Sequence, residues 1–142
     1  RVGGSVRNVL GPLLSGGSLV AAPGCDAGLF WDIAEAGGDA AGGGAGGEAV
    51  AAAAAAGKVS WYYASPTMHQ AILREGKERA SARGVRARTG LRMIANAAGG
   101  LLPSLAEQLK ETFGAVILPS YGMTECMPIS SPPQRASRPA RA

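Results

Sequence analysis

Residues 115–125 read AVILPSYGMTE, a short apolar run followed at once by a turn with ligand-binding side chains. The apolar residues 115–118 lie between Gly114 and Pro119, which predicts a buried strand, most simply of a parallel sheet. Tyr121, Thr124 and Glu125 then supply a ring, a hydroxyl and a carboxylate. In open α/β sheets, ligands bind just beyond the carboxyl ends of the strands, so this turn is a candidate ligand site.

The chemistry of this turn suits a magnesium–nucleotide. An aromatic ring can stack on a base, a hydroxyl can donate to a phosphate, and a carboxylate can hold Mg²⁺. The alternative is an ordinary strand-to-helix turn in which Thr124 only caps a helix. The spacing alone leaves both interpretations open.

Two further strand–turn–helix units precede this stretch. Residues 59–64 (VSWYYA) predict a strand, after which Ser65 and Pro66 are suited to begin a helix that runs to about Arg74. His69 lies one turn into this predicted helix, and taken alone it is more simply interpreted as a satisfied structural histidine than as a catalytic one.

The second unit begins with residues 91–95 (LRMIA), another predicted strand. The small-residue turn 96–103 follows, then a helix over 104–113. Strands that alternate with helices predict the α/β class, with a helix-covered, mainly parallel sheet. Right-handed crossovers would bring the turns after all three strands to one edge of that sheet.

The N-terminal part predicts a helix over 5–15, a short strand over 18–22, and a helix over 27–36 capped by Asp26. Residues 37–57 are almost entirely glycine and alanine. They lack the Lys-Ser/Thr pair of a P-loop, so we interpret them as a low-complexity insertion rather than a phosphate cradle.

Composition argues against several functional classes. The net charge is +4, and seven of the fourteen basic residues fall within 74–92, where there is no aromatic residue. We interpret that cluster as a solvated helix and loop, and predict no nucleic-acid binding. The length of 142 residues suits one domain.

The cysteines and hydrophobic runs bear on compartment and metal binding. Cys25 and Cys126 have neither metal-ligand nor disulfide-framework spacing, and the chain has a single histidine. There is no apolar run of about 18 residues, so we predict no transmembrane segment. An intracellular location, in the cytoplasm or an organelle, is expected over secretion.

The motif YGMTE at 121–125, preceded by GGLLP at 99–103, resembles the adenylate-forming enzymes, and most closely the AMP-dependent acyl-CoA synthetases. The segment VSWYYASPTMHQ at 59–70 is similar to a strand–Pro-Thr–helix segment of that family, and 2–8 to the start of one of its helices. The resemblance covers about residues 2–36 and 58–133.

The resemblance implies a reaction in two steps. A small-molecule carboxylate attacks the α-phosphate of Mg·ATP to give an acyl-adenylate and pyrophosphate, and the thiol of coenzyme A, or of a carrier protein, then displaces AMP. By the family pattern, Tyr121 and Gly122 belong to the nucleotide site and Tyr121 stacks on adenine. Thr124 bonds the α-phosphate, and Glu125 holds Mg²⁺.

Two other groups of residues take roles from the same resemblance. Gly99 and Gly100 would line the adenine pocket. Pro66, Met68 and His69 would form part of the acyl pocket.

The departures from the family pattern are equally informative. The lysine-containing phosphate loop, the ribose-binding aspartate and the C-terminal domain with its lysine are not found in these residues. We therefore expect an interior fragment of the large N-terminal domain that does not adenylate alone. Its parts would be 1–36 and 58–133, separated by the insertion 37–57 and followed by a disordered basic tail, 134–142.

Two alternatives remain. The chain could be a non-catalytic, truncated nucleotide-binding or interaction module. It could also be an unrelated doubly wound domain that binds another nucleotide.

Overall fold

The computed structural model describes residues 8–21, 24–36, 50, 57, 59–84, 89–123 and 125–131. The helices with described bounds are α1 (Gly11–Leu14), α2 (Ala27–Ala36), α3 (Pro66–Arg83) and α4 (Pro103–Phe113). The strands are β1 (Trp61–Ala64), β2 (Met93–Asn96), β3 (Val116–Pro119), β4 (Tyr121–Met123) and β5 (Cys126–Ser130). Within the described ranges, none of the helices combines the length and apolar character needed to cross a membrane.

Strands β1, β2 and β3 form one parallel sheet in that order. Ala64 pairs with Asn96, and Asn96 with Pro119, so the three carboxyl ends lie level with one another. Helix α3 connects β1 to β2, and α4 connects β2 to β3. The predicted α/β class with a parallel, helix-connected sheet is therefore confirmed.

Local sequence explains the limits of the two connecting helices. Both α3 and α4 begin with proline, whose missing N–H is not needed in the first turn. Gly84 and Gly114 follow their last residues with φ values of +67° and +63°. The N–H of each glycine donates to a carbonyl of the last turn, and the left-handed backbone costs glycine little.

A compact apolar core lies between the sheet and α4. Ile94 of β2 and Leu109 of α4 are fully buried, with Leu73 of α3 beside them. Helix α2 adds aromatic packing, because the ring of Phe30 lies 4.8 Å from that of Tyr62, between centroids. Phe30 is thereby packed against both β1 and the core.

Helix α2 is also attached to α3 through Trp31. Its indole N–H donates to the carbonyl of Ile72 at 2.8 Å, and its ring stacks on Phe113 at a centroid distance of 5.1 Å. Gly76 makes room for the indole, because a Cβ at position 76 would overlap the ring.

Two arginines of the basic cluster within 74–92 form ion pairs and do not face solvent alone. Arg79, with a side chain only 18% exposed, pairs with Asp32 at 2.7 Å and with Glu75 at 2.8 Å. Arg83 pairs with Glu35 at 2.8 Å. These contacts connect α3 to α2, and they explain why a basic stretch without aromatic residues is ordered as helix.

Three predicted elements differ from those observed. Of the strand predicted over 18–22, residues 18–21 form none, since no strand in the described part of the chain pairs with them, and Ala22 lies outside the described ranges. The helix predicted over 5–15 is reduced to α1 and a π-type turn at 8–10, and residues 5–7 lie outside the described ranges. Helix α3 continues past Arg74 to Arg83, because the first helix-terminating glycine is Gly84. Most of the insertion 37–57 and all of the tail 134–142 also lie outside the described ranges.

Candidate functional site

Three turns meet at the carboxyl edge of the sheet, as predicted, and Asn96 is at their centre. The carbonyl oxygen of Asn96 accepts hydrogen bonds from the backbone N–H and the hydroxyl of Ser120, each at 3.1 Å. The side-chain amide of Asn96 donates to the carbonyl of Gly99 at 3.0 Å. A single residue at the end of β2 thus contacts both the glycine turn and the chain leaving β3.

The glycine turn is close to the start of α3. A Cβ at Gly99 would lie 3.2 Å from Cδ and Cγ of Pro66, whereas a Cβ at Gly100 would meet nothing within 4 Å. Ala98 has φ of +60°, a left-handed conformation that costs a non-glycine residue about 1–2 kcal/mol. Residues 98–100 are exposed. The backbone of this turn is therefore open to solvent, and the hydrogen bond from the Asn96 side chain to the Gly99 carbonyl fixes it on the protein side.

Residues Tyr121–Met123 of the YGMTE stretch are one strand of a hairpin and do not lead into a helix. Strands β4 and β5 are antiparallel, with Tyr121 opposite Ser130 and Met123 opposite Cys126. Tyr121 is 61% exposed and Glu125 is exposed, while Gly122 is half-buried between them in the chain. Thr124 lies outside the described residues. The alternative of a simple strand-to-helix turn is wrong, because β5 follows the turn.

The chemistry of Glu125 fits a magnesium ion that is bound together with a nucleotide. Mg²⁺ in such sites takes one or two carboxylates from the protein and completes its shell with phosphate oxygens and water. Glu125 is exposed and could supply one such carboxylate. Within the described ranges, no group of three or more His, Cys, Asp and Glu side chains could hold a metal ion alone.

The three residues assigned to the acyl pocket occupy different surroundings. Pro66 lies against the glycine turn. Met68 lines a cavity of about 770 Å³ together with Tyr62 and Ile72. His69 is fully buried. The structure thus places His69 inside the protein, whereas Pro66 and Met68 border the glycine turn and the cavity.

The imidazole of His69 belongs to a buried polar group. Its Nδ1 is 3.1 Å from the hydroxyl of Tyr62. Burial lowers the pKa of His69 to about 4, although the side chain of Asn96 acts in the opposite direction. Burial also raises the pKa of the Tyr62 phenol. At neutral pH both side chains are uncharged.

Asn96, Tyr62 and Ser120 were not among the residues that the sequence singled out. Asn96 did have a recognisable signal, since it is a polar residue directly at the carboxyl end of an apolar strand, where ligand sites form. The contribution of Ser120 comes from a partner 24 positions away, which no local pattern encodes.

The glycine turn and the chain that leaves β3 lie at the carboxyl ends of parallel strands, which is where ligands bind in open α/β sheets. A family model described as AMP-binding enzyme matches residues 3–141, and the chain belongs to this family. The resemblance to adenylate-forming enzymes is therefore confirmed.

Two plant proteins are similar to parts of the chain. The chain is 36% identical to oxalate–CoA ligase of Arabidopsis thaliana over 72 residues, 51% of the chain and 13% of that protein. It is 38% identical to the probable CoA ligase CCL9 of Humulus lupulus over 66 residues, 46% of the chain and 12% of that protein. These matches cover a small part of the relatives, so the activity of a whole ligase is a proposal for this chain.

Proposed function

We propose that the chain forms one wall of the adenylation site of an ATP-dependent carboxylate–CoA ligase. The observation that carries this proposal is the meeting of three turns at one sheet edge, two of them joined by Asn96, with Tyr121 and Glu125 exposed after β3. The CoA ligases among the relatives support a carboxylic acid, ATP and coenzyme A as substrates.

The chain's residues would hold and orient the nucleotide. Tyr121 would stack on adenine, and the open backbone of Gly99 and Gly100 would let the flat base approach closely. The half-buried Gly122 would allow the same approach on the hairpin. Thr124 would donate to the α-phosphate, next to the atom that the substrate carboxylate attacks.

Charge that develops on the α-phosphate during attack needs fixed donors more than it needs a nucleophilic side chain. Bound Mg²⁺ would neutralise part of the phosphate charge, and Glu125 is the residue that would hold it. Formation of the thioester would then release AMP from the same wall.

AMP binding to the 142-residue chain tests the proposal directly. We expect Tyr121→Ala to weaken AMP binding roughly tenfold, because stacking of a base on a ring contributes about 1–3 kcal/mol. Ile129→Ala is the matched control, since Ile129 is 46% exposed on the other strand of the same hairpin. Isothermal titration measures both, and equal affinities for the two variants would contradict the assignment.

A non-catalytic nucleotide-binding module is the second candidate. Such a module would also bind AMP through Tyr121, but it would not catalyse adenylation. We expect the chain alone to show no ATP–pyrophosphate exchange with any carboxylic acid. Exchange by the chain alone would instead demonstrate a complete adenylation site.

A further inference from the structure

The glycine turn after β2 contains a strained residue that lies between two hydrogen bonds. Ala98 has a left-handed φ of +60°, which is unfavourable for a residue with a Cβ. Directly before it, the N–H of Ala97 donates to the carbonyl of Ala64 in β1 at 3.2 Å. Directly after it, the carbonyl of Gly99 accepts from the side-chain NH₂ of Asn96 at 3.0 Å. A strained conformation of this kind persists only where the surrounding contacts impose it.

Of these two hydrogen bonds, only the second depends on the identity of a side chain. Any residue except proline at position 97 could supply the first N–H, whereas the second needs the amide of Asn96. A carbonyl oxygen can only accept, so the NH₂ group of Asn96 must face Gly99. Asn96 is only 1% exposed, so its NH₂ group exchanges water for the Gly99 carbonyl when the chain folds.

A ring from α3 also limits the glycine turn. A Cβ at Gly99 would lie 3.2 Å from Cδ and Cγ of Pro66, so the backbone of Gly99 already packs closely on this ring. Pro66 is the first residue of α3, and its ring is therefore fixed by the helix. The turn has little room on the side of α3, and the Asn96 amide holds its carbonyl.

We propose that Asn96 is a positioning residue of the nucleotide site, whose amide holds the glycine turn in its left-handed conformation before a nucleotide binds. This inference rests on the proposed function, in which the backbone of Gly99 and Gly100 lets the base approach closely. A turn that is already ordered raises affinity, because the ligand does not have to order it. Asn96 itself is buried and acts through the turn rather than by contact with the nucleotide.

The conformation of the turn can be observed without any nucleotide. A positive φ brings the amide hydrogen of a residue close to its own Hα, and the NOE between these two hydrogens reports it. In the labelled full chain without AMP, we expect a strong NOE of this kind for Ala98, and a weaker one in Asn96→Ala. A weak NOE for Ala98 in the wild type would overturn the proposal, because the turn would then not be formed in advance.

Two substitutions of Asn96 separate the lost donor from lost packing. Asn96→Ala removes the NH₂ group and leaves space, whereas Asn96→Leu keeps the branched shape without a donor. We expect each to weaken AMP binding about tenfold in isothermal titration, which corresponds to one lost hydrogen bond. A loss in Asn96→Ala without a loss in Asn96→Leu would contradict the role of the amide donor.

The strain at Ala98 provides a further test that a general loss of stability would not mimic. Glycine adopts the left-handed conformation without the steric cost of a Cβ, so the turn of Ala98→Gly needs less support from Asn96. We expect Asn96→Ala to weaken AMP binding only about threefold in the Ala98→Gly background, against about tenfold in the wild type. An equal loss in the two backgrounds would show that Asn96 does not act through the turn.

The outcomes distinguish this proposal from the proposed function. If the wild-type chain binds no AMP but the NOE of Ala98 is strong and weakens in Asn96→Ala, Asn96 holds the turn and the proposed function fails. If AMP binds equally well to the wild type and to Asn96→Ala, positioning by Asn96 is wrong. Thermal unfolding shows whether each variant is folded. If an Asn96 variant is not, the coupling across the hydrogen bond between Asn96 Nδ2 and the Gly99 carbonyl carbon in the wild type decides the matter, and its absence overturns the proposal.

Discussion

Lowering the pH from 7 to 5 should destabilise the chain by about 2 kcal/mol, and His69 should account for most of this change. Burial lowers the pKa of His69 from 6.5 to about 4. The unfolded chain therefore takes up a proton near pH 6.5, while the folded chain resists it until near pH 4. The stabilisation is complete above pH 6.5 and is lost as the pH falls toward 4.

The magnitude follows from the interval between 6.5 and 5. Over that interval the unfolded histidine is protonated and the folded one is not. Each pH unit then costs about 1.4 kcal/mol, which gives about 2 kcal/mol at pH 5. Carboxylates titrate mostly below this interval, and the chain has no second histidine.

Urea unfolding followed by tryptophan fluorescence measures this effect, since Trp31 is buried in the folded chain. The free energy of unfolding is compared at pH 7 and pH 5 for the wild type and for His69→Gln, which has no group that titrates at this position. We expect the variant to lose less than about 0.5 kcal/mol over the same interval. An equal loss in both proteins would refute the assignment of the pH dependence to His69.

Two further substitutions test the packing of α2 against α3. Arg79→Met should lower the free energy of unfolding by about 1–3 kcal/mol, because it leaves half-buried carboxylates unpaired, whereas Lys77→Met at an exposed position should change it little. If urea unfolding gives a similar loss of free energy for Arg79→Met and Lys77→Met, the ion pairs of Arg79 contribute nothing measurable to stability. Gly76→Ala should cost about 1–2 kcal/mol, because its Cβ would overlap Trp31, despite the better helix propensity of alanine. Gly24→Ala, where the added Cβ meets nothing within 4 Å, is its control, and a Gly76→Ala variant as stable as that control would show that the indole moves aside without cost.

The sheet and its connecting helices were predictable because their signals are local. An aromatic-rich stretch indicated β1, residues 91–95 indicated β2, and an apolar run between Gly114 and Pro119 indicated β3, while Pro66 and Gly114 marked a helix start and a helix end. The common edge followed from the handedness of parallel connections, which depends on backbone geometry rather than on particular side chains. The same features carried the resemblance to adenylate-forming enzymes, so the family was predictable too.

The strand expected over 18–22 shows the limit of such signals. An apolar run can become a strand only when another strand offers its backbone groups, and residues 18–21 find no such partner among the residues that the structure describes. The hairpin of β4 and β5 is the opposite case, since pairing with Cys126–Ser130 made strand from a stretch interpreted as a turn. In both, pairing outweighed local propensity.

By itself, the sequence determined the α/β class, the three strand ends at one edge, and the residue types available there. Only the tertiary structure decided that His69 is buried, that Asn96 joins Gly99 to Ser120, and that Arg79 pairs with Asp32. The physical reason is the same for each. The energy of a buried polar group depends on partners that are remote in sequence, and these partners are chosen by packing rather than by local pattern.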